Sequence, residues 1–152
     1  MKISEHISYE EAIKSQTGIR LGIKNIPNEF ELEAMKLVAE NCFEPIKKHF
    51  EIPLIVNSFF RCSELNKAIG GAKTSQHCKG EAIDIDSNSR EINKKIFEWA
   101  KANLIFDQLI SENVDSNGEC EWVHVSFRAR ENRNQSLYMK KINGISKYFN
   151  EY

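Results

Sequence analysis

Three short segments of the chain carry side chains whose types and order suit hydrolytic chemistry. They are Ser75-Gln76-His77-Cys78-Lys79-Gly80-Glu81-Ala82-Ile83-Asp84, Glu121-Trp122-Val123-His124-Val125-Ser126, and Ser58-Phe59-Phe60-Arg61 followed by Glu64-Leu65-Asn66. Gly80 can take a positive φ and turn a loop into a strand, so His77 before the turn can approach Asp84 after it. On that strand Ile83 and Ile85 point one way, and Ala82, Asp84 and Asp86 the other. A carboxylate on a partly buried face needs a partner, and a cation serves. His124 repeats the design: Val123, Val125 and Phe127 fill one face of a second strand, leaving Trp122, His124 and Ser126 opposite. Two histidines and one carboxylate are a usual ligand set for catalytic zinc, with a fourth position open to water. Zinc lowers the pKa of such a water to about 7, which makes a nucleophile for a carbonyl available at neutral pH.

The elements that must position these residues are legible in outline. Ser8-Tyr9-Glu10-Glu11 is a capping-box pattern opening a short helix to about Gln16; Thr17-Gly18 ends it, and a loop leads to Pro27. Asn28 caps a long helix whose apolar positions Leu32, Met35, Ala39, Cys42, Phe43, Ile46 and Phe50 follow the i, i+3, i+4 rule. Pro45 inside this pattern predicts a kink or a restart. Residues 52–60 and 81–86 read as strands, with Ser63 capping a two-turn helix between them. A helix starting at Asn88 or Ser89 follows, then strands over 106–110 and 122–127. Asn143-Gly144 between two apolar runs, 137–142 and 145–149, is a hairpin signal. The fold class is α+β, helices packed on a small, mainly antiparallel sheet, in a single domain over residues 1–152.

Composition narrows the functions. The chain has 21 basic and 22 acidic residues and a formal charge of -1, which gives no global reason to bind nucleic acid or an anionic membrane. No apolar run approaches the ~20 residues that span a bilayer, and the first residues lack the apolar core of a secretory signal. A cytoplasmic origin and a monomer are expected. Cys42, Cys62, Cys78 and Cys120 form no CxxC pair. Cys42 falls on a helical apolar stripe, as a small core residue would.

Ser75-x-His77-x-x-Gly80-x-Ala82-x-Asp84 resembles the SxHxxGxAxD signature of the zinc D-Ala-D-Ala carboxypeptidases, whose fold is shared with the Hedgehog signalling domain. Trp122-Val123-His124-Val125-Ser126 resembles that family's second metal segment, and Asn57-Ser58-Phe59-Phe60-Arg61 with Glu64-Leu65-Asn66 its SGYR-xxxLN segment. The similarity runs from about Ser4 through Arg133 and looks nearest to short, phage-associated members. It implies that His77, Asp84 and His124 bind Zn²⁺. Arg61 would grip the substrate's carboxylate or scissile carbonyl. It also implies a zinc metallopeptidase cutting an amide bond in the peptide stem of bacterial peptidoglycan, reaching the wall after an endolysin-like release. For the general base, the family often places an acidic residue three before the last histidine, here Glu121, which is preferred. On an ideal strand Glu121 faces away from His124 and reaches the site only from a bend. Glu112 is the rival.

Two other readings compete. One is a wall-binding module that keeps the metal and has lost catalysis. The other is a structural zinc protein in which Cys62, Cys78 or Cys120 completes a closed tetrahedral site. Ser75 and Ser126 read as supporting hydrogen-bond partners, Asp86 as structural, Trp122 as a packing residue bordering the groove, and His6 and His49 as exposed. Arg128, Arg130 and Arg133 read as solvated surface or a contact for anionic wall polymer. Loops 70–80 and 111–120 are expected to read the substrate's end.

Overall fold

The computed structural model describes residues 1–151. The N-terminal part is more structured than the sequence suggests. Strands β1 (Lys2–Ser4) and β2 (Ile7–Ser8) form a small antiparallel pair, and α1 (Tyr9–Ile13) follows, capped by Ser8, whose hydroxyl accepts from the Glu11 N–H. Where a loop was expected, α2 (Gln16–Leu21) forms instead. Thr17-Gly18 lies inside it because Ser15 supplies a fresh N-cap, accepting from the Gly18 N–H, and outweighs glycine's poor helix propensity.

Asn28 opens α3 (Glu29–Val38) through a full capping box with Glu31. A π-helical turn, Ala39–Phe43, then leads into α4 (Glu44–Phe50). Pro45 sits at the start of α4, so its missing N–H falls where the widened turn leaves a partner unneeded. The proline therefore restarts the helix. Strand β3 (Ile55–Ser58) is shorter than the apolar run around it, and α5 (Ser63–Ala68) begins at Ser63 with Cys62, not Ser63, as N-cap.

The remaining elements are β4 (Ala82–Asp86), α6 (Arg90–Asn103) capped by Ser89, β5 (Gln108–Glu112), β6 (Trp122–Ser126), β7 (Gln135–Ile142) and β8 (Ile145–Phe149). β5 starts two residues later than the sequence suggests and runs on through Glu112, which puts that carboxylate in the sheet. The β7–β8 turn places both Asn143 (φ 54°) and Gly144 (φ 76°) in the left-handed region, the requirement of a tight two-residue hairpin.

The main sheet has the order β3-β4-β6-β5-β7-β8. All its ladders are antiparallel except β5–β7, so the sheet is mixed. Its two faces have different chemistry. Ile83, Ile85, Leu109, Val123 and Val125 are fully buried and join Met35, Val38, Ile96, Phe97 and Ala100 in the core. Helix α6 covers β5 and β6 on that side, and α3 meets β4. The opposite face holds the polar residues of the motifs. No helix among the described residues is long and apolar enough to cross a membrane.

Candidate active site

The strand register brings the motif residues together. Asp84 on β4 lies directly across from His124 on β6, and His124 in turn faces Ile110 on β5. Glu112 pairs with Trp122 one step along, on the same face. His77 comes from outside the sheet, on the 3-10 turn Gln76–Lys79 that precedes β4. The Ser75 hydroxyl accepts from the His77 N–H and starts that turn. Gly80 ends it at φ 71°, packed so closely on α3 that a Cβ would stand 2.4 Å from the Glu31 carbonyl oxygen. Both the backbone conformation and the space demand glycine there.

His77, Asp84 and His124 each offer one ligand atom, and these atoms all lie within 4.8 Å of one another. His77 Nε2 is 3.3 Å from one Asp84 oxygen, and His124 Nδ1 is 3.0 Å from the other. His77 Nδ1 lies 2.7 Å from the Phe59 carbonyl oxygen. A carbonyl only accepts, so Nδ1 carries the proton and Nε2 keeps its lone pair for the cluster. This is the usual outer support of a metal-bound histidine. Burial would raise the Asp84 pKa, but the two imidazoles beside it hold it well below the usual carboxylate range. The donor set, its fixed tautomer and its shielding fit a zinc ion.

Arg61 is held beside the cluster by its backbone, whose N–H donates to the His77 carbonyl. Its side chain borders the same cavity as Asp84 and His124, and its buried Nε has no hydrogen-bond partner among the described residues. Burial lowers its pKa, and the Asp84 carboxylate offsets part of that. Asn25, which the sequence reading passed over, pins this segment. Its side chain donates to the Phe60 carbonyl and accepts from the Cys62 N–H, on either side of Arg61, and also donates to the Ile13 carbonyl. A lone Asn in Lys24-Asn25-Ile26-Pro27 carries no local signal of that role.

The two acidic candidates separate clearly in space. Glu112 is buried, borders the cavity with His124 and Asp84, and has its pKa pushed up to about 7, chiefly by burial. Glu121 is exposed, does not border the cavity, and accepts a 2.6 Å hydrogen bond from the Asn113 side chain. Its N–H donates to the Glu112 carbonyl just before β6 begins; the chain bends at Glu121, yet its side chain stays exposed.

The other residues find ordinary roles. Ser126 ties β6 to β5 by accepting from the Gln108 N–H. Asp86 accepts from Asn93 and from the Asn88 N–H, away from the metal cluster. Trp122 is half-buried and lines the cavity. His6 and His49 are exposed; His6 pairs with Glu44, and His49 stacks on Trp99. Arg133 is no free surface charge, since it forms a two-pronged pair with Asp107. All four cysteines are free thiols, and no cysteine joins a metal-holding cluster among the described residues. Burial pushes Cys42 up to about 12 and Cys120 up to about 11, which disfavours the thiolate a closed zinc site needs. Among the described residues no cysteine-containing cluster supports the structural-zinc reading.

The cavity over this face has a volume of about 940 Å³. Residues of the 70–80 loop form one wall, as the sequence suggests. Of the 111–120 segment only Glu112 lines the cavity; Met139, Lys141, Ser146 and Tyr148 of the β7–β8 hairpin form the other wall. The 113–121 segment is instead drawn toward α6 by Arg90, which pairs with Asp115 and donates to the Asn113 and Glu119 carbonyls.

Comparison with curated proteins gives no match. Residues 5–126 match the family described as Peptidase M15, a span holding every ligand of the cluster, Arg61 and both acidic candidates. With most of its length in that match, the chain belongs to the Peptidase M15 family, the family of the zinc D-Ala-D-Ala carboxypeptidases.

Proposed function

We propose that the protein is a zinc metallopeptidase that hydrolyses an amide bond in the peptide stem of bacterial peptidoglycan, with His77, Asp84 and His124 holding the ion. The observation that carries this reading is the convergence of those three side chains on one open cavity, with His77 locked by the Phe59 carbonyl so that Nε2 faces inward. The family supports a peptidase. Zinc bound there would polarise the scissile carbonyl and make water nucleophilic at neutral pH.

The chain's own residues then have distinct tasks. Glu112, on the neighbouring strand and in the same cavity, is the base that takes a proton from the attacking water and returns it to the leaving amine. Its placement favours it over Glu121, which points into solvent toward Asn113. Arg61 is half-buried and lines the cavity, and its guanidinium is suited to the terminal carboxylate or carbonyl oxygen of a peptide. Trp122 borders the groove and excludes water from one side.

The test is digestion of purified peptidoglycan and soluble stem peptides by zinc-loaded and chelator-stripped protein, with products identified by mass spectrometry. Zinc-dependent release of a defined amino acid or peptide supports the reading and names the bond. Absence of cleavage across the panel, with one zinc bound per chain, would leave a wall-binding module in its place.

A further inference from the structure

The family match ends at Ser126, and the hairpin that walls the cavity lies wholly beyond it. Strand alternation gives this hairpin one face aimed at the site. Met139 pairs with Tyr148 and Lys141 with Ser146, so all four side chains emerge on one side. The parallel pairing of Ile110 with Leu137 makes that side continuous with Ile110 and Glu112 on β5. Lys140 and Lys147, paired with each other, fall on the opposite side.

The charges on this wall call for an anion. Lys141 is exposed and pairs with no carboxylate among the described residues. Tyr148, 55% exposed on the edge strand, presents a flat ring to the cleft. It lines the same cavity as Glu112 and Asp84. Arg61 lies at the other end, after β3. Asp84 is level with Leu137 on β7 through His124 and Ile110. Three strand spacings of about 4.8 Å and a four-residue offset of about 13 Å along β7 separate Asp84 from Lys141 by roughly 20 Å, about six residues of extended peptide.

We propose that the β7–β8 hairpin is an acidic-peptide subsite of the cleft, in which Lys141 takes a side-chain or main-chain carboxylate of the substrate and Tyr148 lies along the peptide, on the far side of the metal cluster from Arg61. The proposal rests on the peptidase reading for the identity of the peptide. The substrate class it names is a stem peptide carrying a free carboxylate several residues from the scissile bond, in preference to the same peptide amidated there.

The experiment is binding of two synthetic stem pentapeptides, one with a free D-Glu carboxylate and one with that group amidated, to the zinc-loaded full chain. Tryptophan fluorescence in a stopped-flow, read before turnover, reports Kd, because Trp122 borders the cavity. Wild type should prefer the free acid by about fivefold, and Lys141→Glu should abolish or invert that preference. Tyr148→Ala should weaken both peptides alike by about fivefold. Lys147→Glu makes the same charge change on the opposite face and should leave both affinities and the preference unchanged. Circular dichroism melts check that each variant folds. Equal binding of the two peptides by wild type, no binding of either, or equal effects of Lys141→Glu and Lys147→Glu would overturn the proposal. If wild type discriminates between the peptides and cuts neither, the subsite stands and the peptidase reading falls.

Discussion

Replacing Glu112 by Gln should make the enzyme inactive and the metal-free protein more stable, and the two effects share one cause. Glu112 is buried at the end of β5, and its pKa rises from 4.5 to about 7. The unfolded chain therefore releases this proton from about pH 4.5 upward, whereas the folded protein holds it until about pH 7. The contribution to stability is intact below pH 4.5 and is lost as pH climbs through 7. A shift of that size corresponds to a folding penalty on the order of 3 kcal/mol above pH 7. Glu112→Gln keeps the shape without the charge, so it should raise the melting temperature of chelator-stripped protein at pH 8 and leave it nearly unchanged at pH 4.5. In the zinc-loaded protein the same change removes the base. A positioned general base contributes typically 10²–10⁴-fold, so kcat on a stem peptide should fall by about that factor with zinc still bound. Glu121→Gln, which loses only the Asn113 contact, should change kcat less than about twofold. A melting-temperature difference that does not vary between pH 4.5 and 8 would refute the burial argument. A larger activity loss from Glu121→Gln than from Glu112→Gln would refute the assignment of the base.

Three other perturbations test the supports of the site. Gly80→Ala places a Cβ 2.4 Å from the Glu31 carbonyl oxygen at φ 71°. It should cost about 2 kcal/mol or more in denaturant unfolding, and should weaken zinc retention by moving His77. Asn25→Ala strips partners from the Ile13 and Phe60 carbonyls and the Cys62 N–H. It should destabilise by about 2–3 kcal/mol and lower kcat/KM of the folded enzyme, because Arg61 sits between two of those bonds. The hydrogen bonds from Arg133 hold the Asp107 carboxyl below its ordinary range. Their stabilisation is therefore present above pH 4 and lost as pH falls through the lowered pKa. Asp107→Asn should flatten the acid limb of an unfolding-versus-pH curve, a result that urea melts between pH 2 and 6 can check.

The three candidate ligands were legible because each is specified locally. His77 precedes a glycine turn, Asp84 alternates with Ile83 and Ile85, and His124 alternates with Val123 and Val125, so periodicity alone separates ligand face from core face. The proposed base is a different case. Glu112 carries no motif, and its position depends on two nonlocal facts, that β5 extends to residue 112 and that β5 is the neighbour of β6. Asn25 is similar, since its partners Phe60 and Cys62 are far along the chain. The missed helix α2 shows the opposite failure. Thr17-Gly18 reads as a stop, yet a serine cap two residues earlier and a left-handed Gly22 at the end build a short helix around it.

The same strand register makes the candidate site robust. Asp84 faces His124, Ile83 faces Val125 and Ile85 faces Val123. A slip of one residue between β4 and β6 would turn two isoleucines into the polar cavity and drive a carboxylate into the core. No cost is needed from the metal to exclude that alternative, because burial of Ile83, Ile85, Val123 and Val125 already does so. The hydrophobic face thus sets the distance between Asp84 and His124 before any ion arrives. His77, delivered by a turn outside the sheet, is the ligand that depends on separate supports, namely Phe59, Ser75 and Gly80. Weakening those supports should loosen metal binding while the sheet stays intact, whereas a polar substitution at Val123 or Ile83 should unfold the domain.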